Sequence, residues 1–293
     1  MSNIILNADD FGRHALINAA VRDGVEHGLL RSASLMAGEP AFDEAVAIAK
    51  AHPALGVGVH FTLVDGRSVL PSAEIPSLVG ADGRFRPNHM AFVRDYFLGR
   101  IRRDDIRREF MAQAQKIVHA GLTPDHVDSH QHIHILPGVF SIALDVAASF
   151  GIHAVRIPAV DVGEGGFFTG GVGAIVGRLG LYTLATIARQ QARHRGFATP
   201  DHFAGLVAGA AVTEDYLVQL AGALPQDEKT TEVMLHPGKV DDELAQLYAG
   251  GWEHSFTSED AAILSPAVRA AFEAHALSSV NFAAMAQHCA HAS

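Results

Sequence analysis

Two adjacent aspartates, Asp9 and Asp10, follow the apolar run Ile4-Ile5-Leu6 near the start of the chain. Paired carboxylates repel unless a cation lies between them. In different surroundings they can take different roles, one as a ligand and one as a base. A helix N-cap would also use an aspartate here, but a cap needs only one. A second cluster, Asp128 with His130, His132 and His134 in HVDSHQHIH, sets three imidazoles at alternate positions. An extended segment would aim all three at one face. Neutral imidazole is a common ligand for zinc and related divalent ions. A solvated histidine-rich loop is the competing account. One of the three could instead orient a ligand or touch substrate. His60, in LGVGVHFTL, would by itself read as a core histidine. His236, in EVMLHPG, fits a general acid as well as it fits an exposed turn histidine. Arg156, in AVRIP, fits either a partner that keeps an active-site carboxylate ionised or a surface ion pair.

Position unites these residues: each stands at the C-terminal end of an apolar run that reads as a strand. Strands are expected at 4–7, 32–37, 55–63, 126–129, 153–157, 203–207, 232–236 and 278–282. Helical spacing marks 14–30, 42–51, 104–120, 139–150 and 213–224. Residues 71–87 read as a loop. Strands alternating with helices predict a parallel sheet covered by helices. Seven or eight such units predict an α/β, (β/α) barrel-like fold, incomplete or distorted, whose strand ends share one mouth. No fixed-period repeat and no linker divides the chain, so one domain over 1–293 is expected, with an apolar insertion near 163–196. The Gly-rich stretch 163–173 is expected to be a mobile loop or the start of that insertion. The apolar run 171–196 is too short and glycine-rich for a membrane span. It is expected to be a helix in the core or in a dimer contact, so a homo-oligomer is expected. An interfacial segment touching a lipid-linked substrate is the sharper alternative.

Composition narrows the classes. The chain has 293 residues, 48% of them hydrophobic, which suits a globular fold rather than disorder. A formal charge of −10 disfavours nucleic acid as a partner. A single cysteine, Cys289, excludes an intrachain disulfide and a cysteine-based zinc site. The 18 histidines and the carboxylates are then the available strong metal ligands. The N-terminal segment MSNIILNADDFG lacks the features of a signal peptide, so a cytoplasmic location is the default expectation, with no transmembrane anchor.

Five motifs, in order along the chain, resemble those of the YdjC-like carbohydrate deacetylases, the ChbG/HpnK family: NADDFG at 7–12, GVGVHFTL at 56–63, HVDSHQHIHILP at 126–137, VRIP at 155–158 and LHPG at 235–238. The resemblance implies a (β/α) barrel-like fold, one divalent metal ion (Zn2+ or Mg2+) and hydrolysis of the acetamide of an N-acetylated sugar. By position it makes Asp10, His60 and His130 the metal ligands and Asp9 the catalytic base. His236 and Arg156 fall on the remaining active-site positions, and His132, His134 and Asp128 are left for substrate or for the ligands' surroundings. Residues 64–85 look like the hopanoid-associated HpnK branch, whereas SHQHIH looks like the chitooligosaccharide branch.

The expected reaction is attack of water on the acetamide carbonyl, with Asp9 as base and His236 protonating the departing amine, releasing acetate. A metal-dependent phosphoesterase is the alternative enzyme, but such sites usually hold two or more metals. A non-catalytic metal- or sugar-binding protein is the alternative of another class, and it would have no use for a base such as Asp9.

Overall fold

The first strand is buried along its whole length. In the computed structural model, which describes residues 2–159, 171–206, 211–224, 227–249 and 254–291, β1 runs from Ser2 to Phe11 with every residue buried. A strand covered on both faces reads as a continuous apolar run, and Ile4-Ile5-Leu6 supplies it. Then come α1 (Ala15–Glu26), β2 (Ser32–Leu35), α2 (Phe42–Ala51) and β3 (Gly56–Phe61). After a long connection follow α3 (His89–Phe97), α4 (Arg103–His119), β4 (His126–Ser129), a 3-10 turn (His130–Ile135) and α5 (Val139–Ser149). The second half adds α6 (Val172–His194), β5 (His202–Ala204), α7 (Glu214–Ala223), β6 (Thr230–Leu235), α8 (Asp242–Leu247), α9 (Phe256–Leu264), α10 (Pro266–Ala274), β7 (Leu277–Ser279) and α11 (Phe282–His291).

All strand pairs are parallel, in the order β4-β3-β2-β1-β6-β5, with β7 beside the start of β1. Single parallel bridges, Val127 to Val155 and Ala154 to Ala198, carry the sheet from β4 round toward β5. The sheet thus curls into the barrel-like α/β form expected from the alternation of elements. The segment at 153–157 makes only those bridges, where a full strand was expected. A contiguous apolar core links the sheet to its helices from Ile4 to Leu277.

Two registers matter for function. β3 pairs with β4 so that His60 stands beside Asp128. β1 pairs with β6 so that Asn7 stands beside Met234 and Ala8 beside Leu235, which carries Asp9 toward His236. Between Ala8 and Phe11 the pairing of β1 with β2 slips by one residue. That bulge holds Asp9 and Asp10, and Asp10 takes a left-handed φ of 61°. A bulge re-aims side chains that strict alternation would send to opposite faces. The N-cap of α1 is His14, whose side chain accepts from the Leu16 N–H, so neither aspartate serves as that cap.

The Gly-rich stretch 163–173 lies largely outside the described residues, as does the end of the strand expected at 203–207. The apolar run 171–196 forms α6, which buries Ala185, Ala188 and Ala192 and leaves Leu179, Tyr182 and Ile187 exposed. It is a surface helix with one packed face, not one enclosed by the core. Among the described residues no helix is long and apolar enough to cross a membrane.

Candidate active site

Three strand ends bring Asp10, His60 and His130 together. One donor atom from each lies within 4.8 Å of the others, and all three residues are buried. His130 Nδ1 is 2.9 Å and His60 Nε2 is 3.4 Å from Asp10 Oδ1. Despite this closeness, Asp10 Oδ1 and His60 Nε2 have no hydrogen-bond partner. Buried polar atoms are normally bonded, so an orphaned oxygen facing an orphaned imidazole nitrogen needs a reason. A shared divalent cation is one, and a carboxylate with two imidazoles is a suitable donor set. The residues present therefore fit a metal ion.

Charges around the trio are strongly acidic. Burial opposes ionisation of Asp10, but His130, His60 and Arg13 outweigh it and hold the carboxyl well below its usual range. Burial likewise opposes a proton on His60, yet Asp128 and Asp10 push that imidazole up to about 10. His130 is raised in the same way, chiefly by Asp10 against burial. The pull that these acids exert on imidazole protons would act equally on a bound cation.

The far nitrogens of the two imidazoles have different partners. Asp128 Oδ1 is 2.8 Å from His60 Nδ1 and accepts its N–H, leaving Nε2 facing Asp10. His130 Nε2 is 3.6 Å from Asp65 Oδ2 and 3.1 Å from Arg13 Nη1. Asp65 sits in a turn with φ 46° and also receives Arg13 Nη2 at 2.9 Å. Ligand histidines commonly give their second N–H to a carboxylate, which fixes tautomer and ring orientation; His60 does so, whereas His130 Nε2 accepts from the Arg13 guanidinium.

Beside this trio lies a second acidic cluster. Arg156, fully buried, donates to both oxygens of Asp9 at 2.6 Å and to Glu232 Oε1 at 2.6 Å. Its Nη1 is also 2.7 Å from Asp128 Oδ2. Asn7 Nδ2 adds a bond to Asp9 Oδ1 at 2.8 Å, and Ser34 Oγ donates to Asp128 Oδ2 at 2.7 Å. Burial raises Glu232 to about 7 against the pull of Arg156.

His236 faces the site from the end of β6, half-buried. Its backbone N–H donates to Glu259, and its ring lies 4.6 Å from that of His254. Burial lowers the His236 imidazole, although Asp9 and Asp10 pull the other way. Burial raises Glu259 to about 8, although N–H groups of His236 and Val212 point at it.

The three histidines of SHQHIH do not share a face. The chain leaves β4 into a 3-10 turn in which Gln131 and His132 take left-handed φ values of 53° and 54°. That correction separates their roles. His130 reaches Asp10. His132 is half-buried and edge-on to Phe203, with its Nδ1 unpartnered. His134 turns inward, with Nδ1 2.6 Å from Ser129 Oγ and Nε2 bonded to the Arg156 carbonyl at 3.0 Å. It braces the segment that carries Arg156.

A family model described as YdjC-like protein matches residues 3–274. The chain belongs to the YdjC-like family. A carbohydrate deacetylase of Geobacillus stearothermophilus is 35% identical over 241 residues, covering 82% of this chain and 81% of that protein. A carbohydrate deacetylase of Listeria monocytogenes serotype 4a (strain HCC23) is 31% identical over 244 residues, covering 83% and 84%. The crystal structure of an Enterococcus faecalis V583 protein, provisionally described there as a cellobiose-phosphate cleavage protein, superposes with a TM-score of 0.74. It is 23% identical and covers 97% of this chain and 98% of its own, so this likeness speaks to the fold alone.

Several polar residues at this YdjC-like centre escaped the sequence reading. Arg13 is buried, 3.5 Å from Asp10 Oδ2, and stacks on Tyr248 with its guanidinium carbon 4.3 Å from the ring centroid. Tyr248 donates to Asp10 Oδ2 at 2.6 Å. Asp65, His254 and Glu259 complete the set. Glu232, likewise missed, carried a visible signal, a charge inside the otherwise uncharged strand TTEVML.

Proposed function

We propose that this protein is a metal-dependent carbohydrate N-deacetylase, a single catalytic domain that releases acetate from an N-acetylated amino sugar of the N-acetylglucosamine type, free or as part of an oligosaccharide or glycolipid. The observation that carries the reading is the meeting of unpartnered Asp10 Oδ1 and His60 Nε2 with His130 Nδ1, next to the Arg156-bound carboxylate of Asp9. Relatives named carbohydrate deacetylases at 31–35% identity over four fifths of the chain support the substrate class.

In this mechanism Asp10, His60 and His130 would hold one divalent ion, Zn2+ or Mg2+. When bound, such an ion polarises the acetamide carbonyl and makes a water acidic enough to attack near neutral pH. Asp9 takes a proton from the attacking water. Two guanidinium bonds and one amide bond fix its carboxylate, so little reorientation is needed as attack begins. His236, on the neighbouring strand end, passes a proton to the departing amine. Because burial weakens its hold on protons, one that reaches it is readily passed on. Asp128 keeps the His60 ring turned with Nε2 toward Asp10.

A phosphoesterase with two metals is disfavoured by one observation. Among the described residues the other ligand-like group, Asp9, His60 and Asp128, shares His60 with the first, and its carboxylates are already engaged by Arg156. The test is acetate release from N-acetylglucosamine and its oligomers, alongside metal content. His60→Ala should lose both the ion and at least a hundredfold in kcat/KM. Full acetate release from metal-free His60→Ala would overturn the reading.

A further inference from the structure

The two oxygens of Asp10 keep different company. Oδ1 faces His60 and His130 without a hydrogen bond, whereas Oδ2 accepts the Tyr248 hydroxyl at 2.6 Å. Tyr248 lies just past α8, 238 residues along the chain from Asp10. Its ring is gripped from several sides. Arg13 stacks 4.3 Å from its centroid, while His254 and Phe256 meet it edge-on at 4.8 Å and 4.9 Å. Arg13 in turn is tied to Asp65 at 2.9 Å. The hydroxyl is therefore delivered to one oxygen of one carboxylate by a chain of contacts, each of which restricts its freedom.

A carboxylate next to a divalent ion can bind through one oxygen or through both. A catalytic centre needs a coordination position left over for water or substrate. A bond from a phenol to an ionised carboxylate at this length is charge-assisted and competes with a cation for the same lone pairs. We propose that Tyr248 is a positioning residue of the metal centre: by holding Oδ2 it limits Asp10 to ligation through Oδ1 and keeps a coordination position open. This rests on the reading of Asp10, His60 and His130 as the metal ligands. Tyr248 acts through Asp10 and has no required contact with substrate. A tyrosine that only satisfied a buried oxygen would affect stability and leave the coordination unchanged.

Tyr248→Phe keeps the ring and its packing and removes the hydroxyl. The experiment loads the full chain with Co2+ and measures affinity by equilibrium dialysis and coordination by visible absorption. Wild type should bind one Co2+ with the intense bands of a low coordination number. Tyr248→Phe should bind Co2+ at least as tightly, with weaker bands as Oδ2 joins the coordination shell. Wild-type bands in the variant would overturn the role of Tyr248 alone. A wild type that takes up no Co2+ would overturn the metal centre itself and this inference with it.

Discussion

Two acidic clusters lie side by side at the barrel mouth, and they solve the same problem in different ways. Around Arg156, the carboxylates of Asp9, Asp128 and Glu232 share a cation that is part of the chain, and it bonds or pairs with all three. Around Asp10, Arg13 touches only the outer oxygen at 3.5 Å, and the inner oxygen faces two imidazoles with no bond made. Both clusters draw on His60. The difference shows where the fold has supplied its own positive charge and where it leaves room for one from solution. With Asp9 as the proposed base, it would also divide the labour: the permanent cation would fix the base, and the exchangeable one would meet the substrate.

That contrast can be broken at its permanent end first. Arg156→Met strands three buried carboxylates, and loss of one partner from a buried ionic cluster typically costs about 3–5 kcal/mol. Denaturant unfolding should show the variant as much less stable than wild type. Chelating the metal from wild type should abolish turnover with a smaller loss of stability, since the imidazoles can take up protons in its place. Equal losses in the two cases would erase the distinction. Asp9→Asn should sharpen it from the other side. Metal content should stay near wild type while kcat falls by at least a hundredfold, the scale expected for a general base. Loss of metal in this variant would instead merge the two clusters into one.

The smallest effect concerns acid. Burial lowers His134 to about 4, well under an ordinary imidazole, so the folded protein keeps it neutral while the unfolded chain protonates near 6.5. The unfolded state then binds more protons as pH falls, and stability drops. The contribution is complete above about pH 6.5 and is lost progressively toward pH 4, by up to about 3 kcal/mol. Urea midpoints at pH 7 and pH 4.5 should differ by less in His134→Gln than in wild type. An unchanged difference would remove His134 from the acid response.

How much of this was legible in the residues depends on the range of the signal. The strand ends that deliver Asp9, Asp10, His60, His130 and His236 were visible because apolar runs followed by polar residues are local patterns. The placement of His130, His132 and His134 was misread because alternation assumes an extended chain, and left-handed Gln131 and His132 break it. Nothing in their types foretells that turn, which follows from β4 ending at Ser129 and from the bond between the His134 N–H and Ser129 Oγ. Arg13 follows Asp10 by three residues and could have been suspected. Tyr248 could not, since a phenol on a polar helix end resembles any surface tyrosine until the topology folds it over. α3, α8, α9 and α10 were also missed, being short helices of nine residues or fewer.

Asp10, Asp65, Gln131 and His132 all hold backbone angles that glycine would adopt more easily. Such conformations typically cost about 1–3 kcal/mol apiece, and here they gather around one mouth. An engineer scanning the chain for inexpensive gains in heat resistance would meet these positions early. Relaxing them would trade away the side chains, or the angles of approach, for which the fold tolerates the strain. Thermostabilised versions of this enzyme should therefore be sought in the helices on the far side of the sheet.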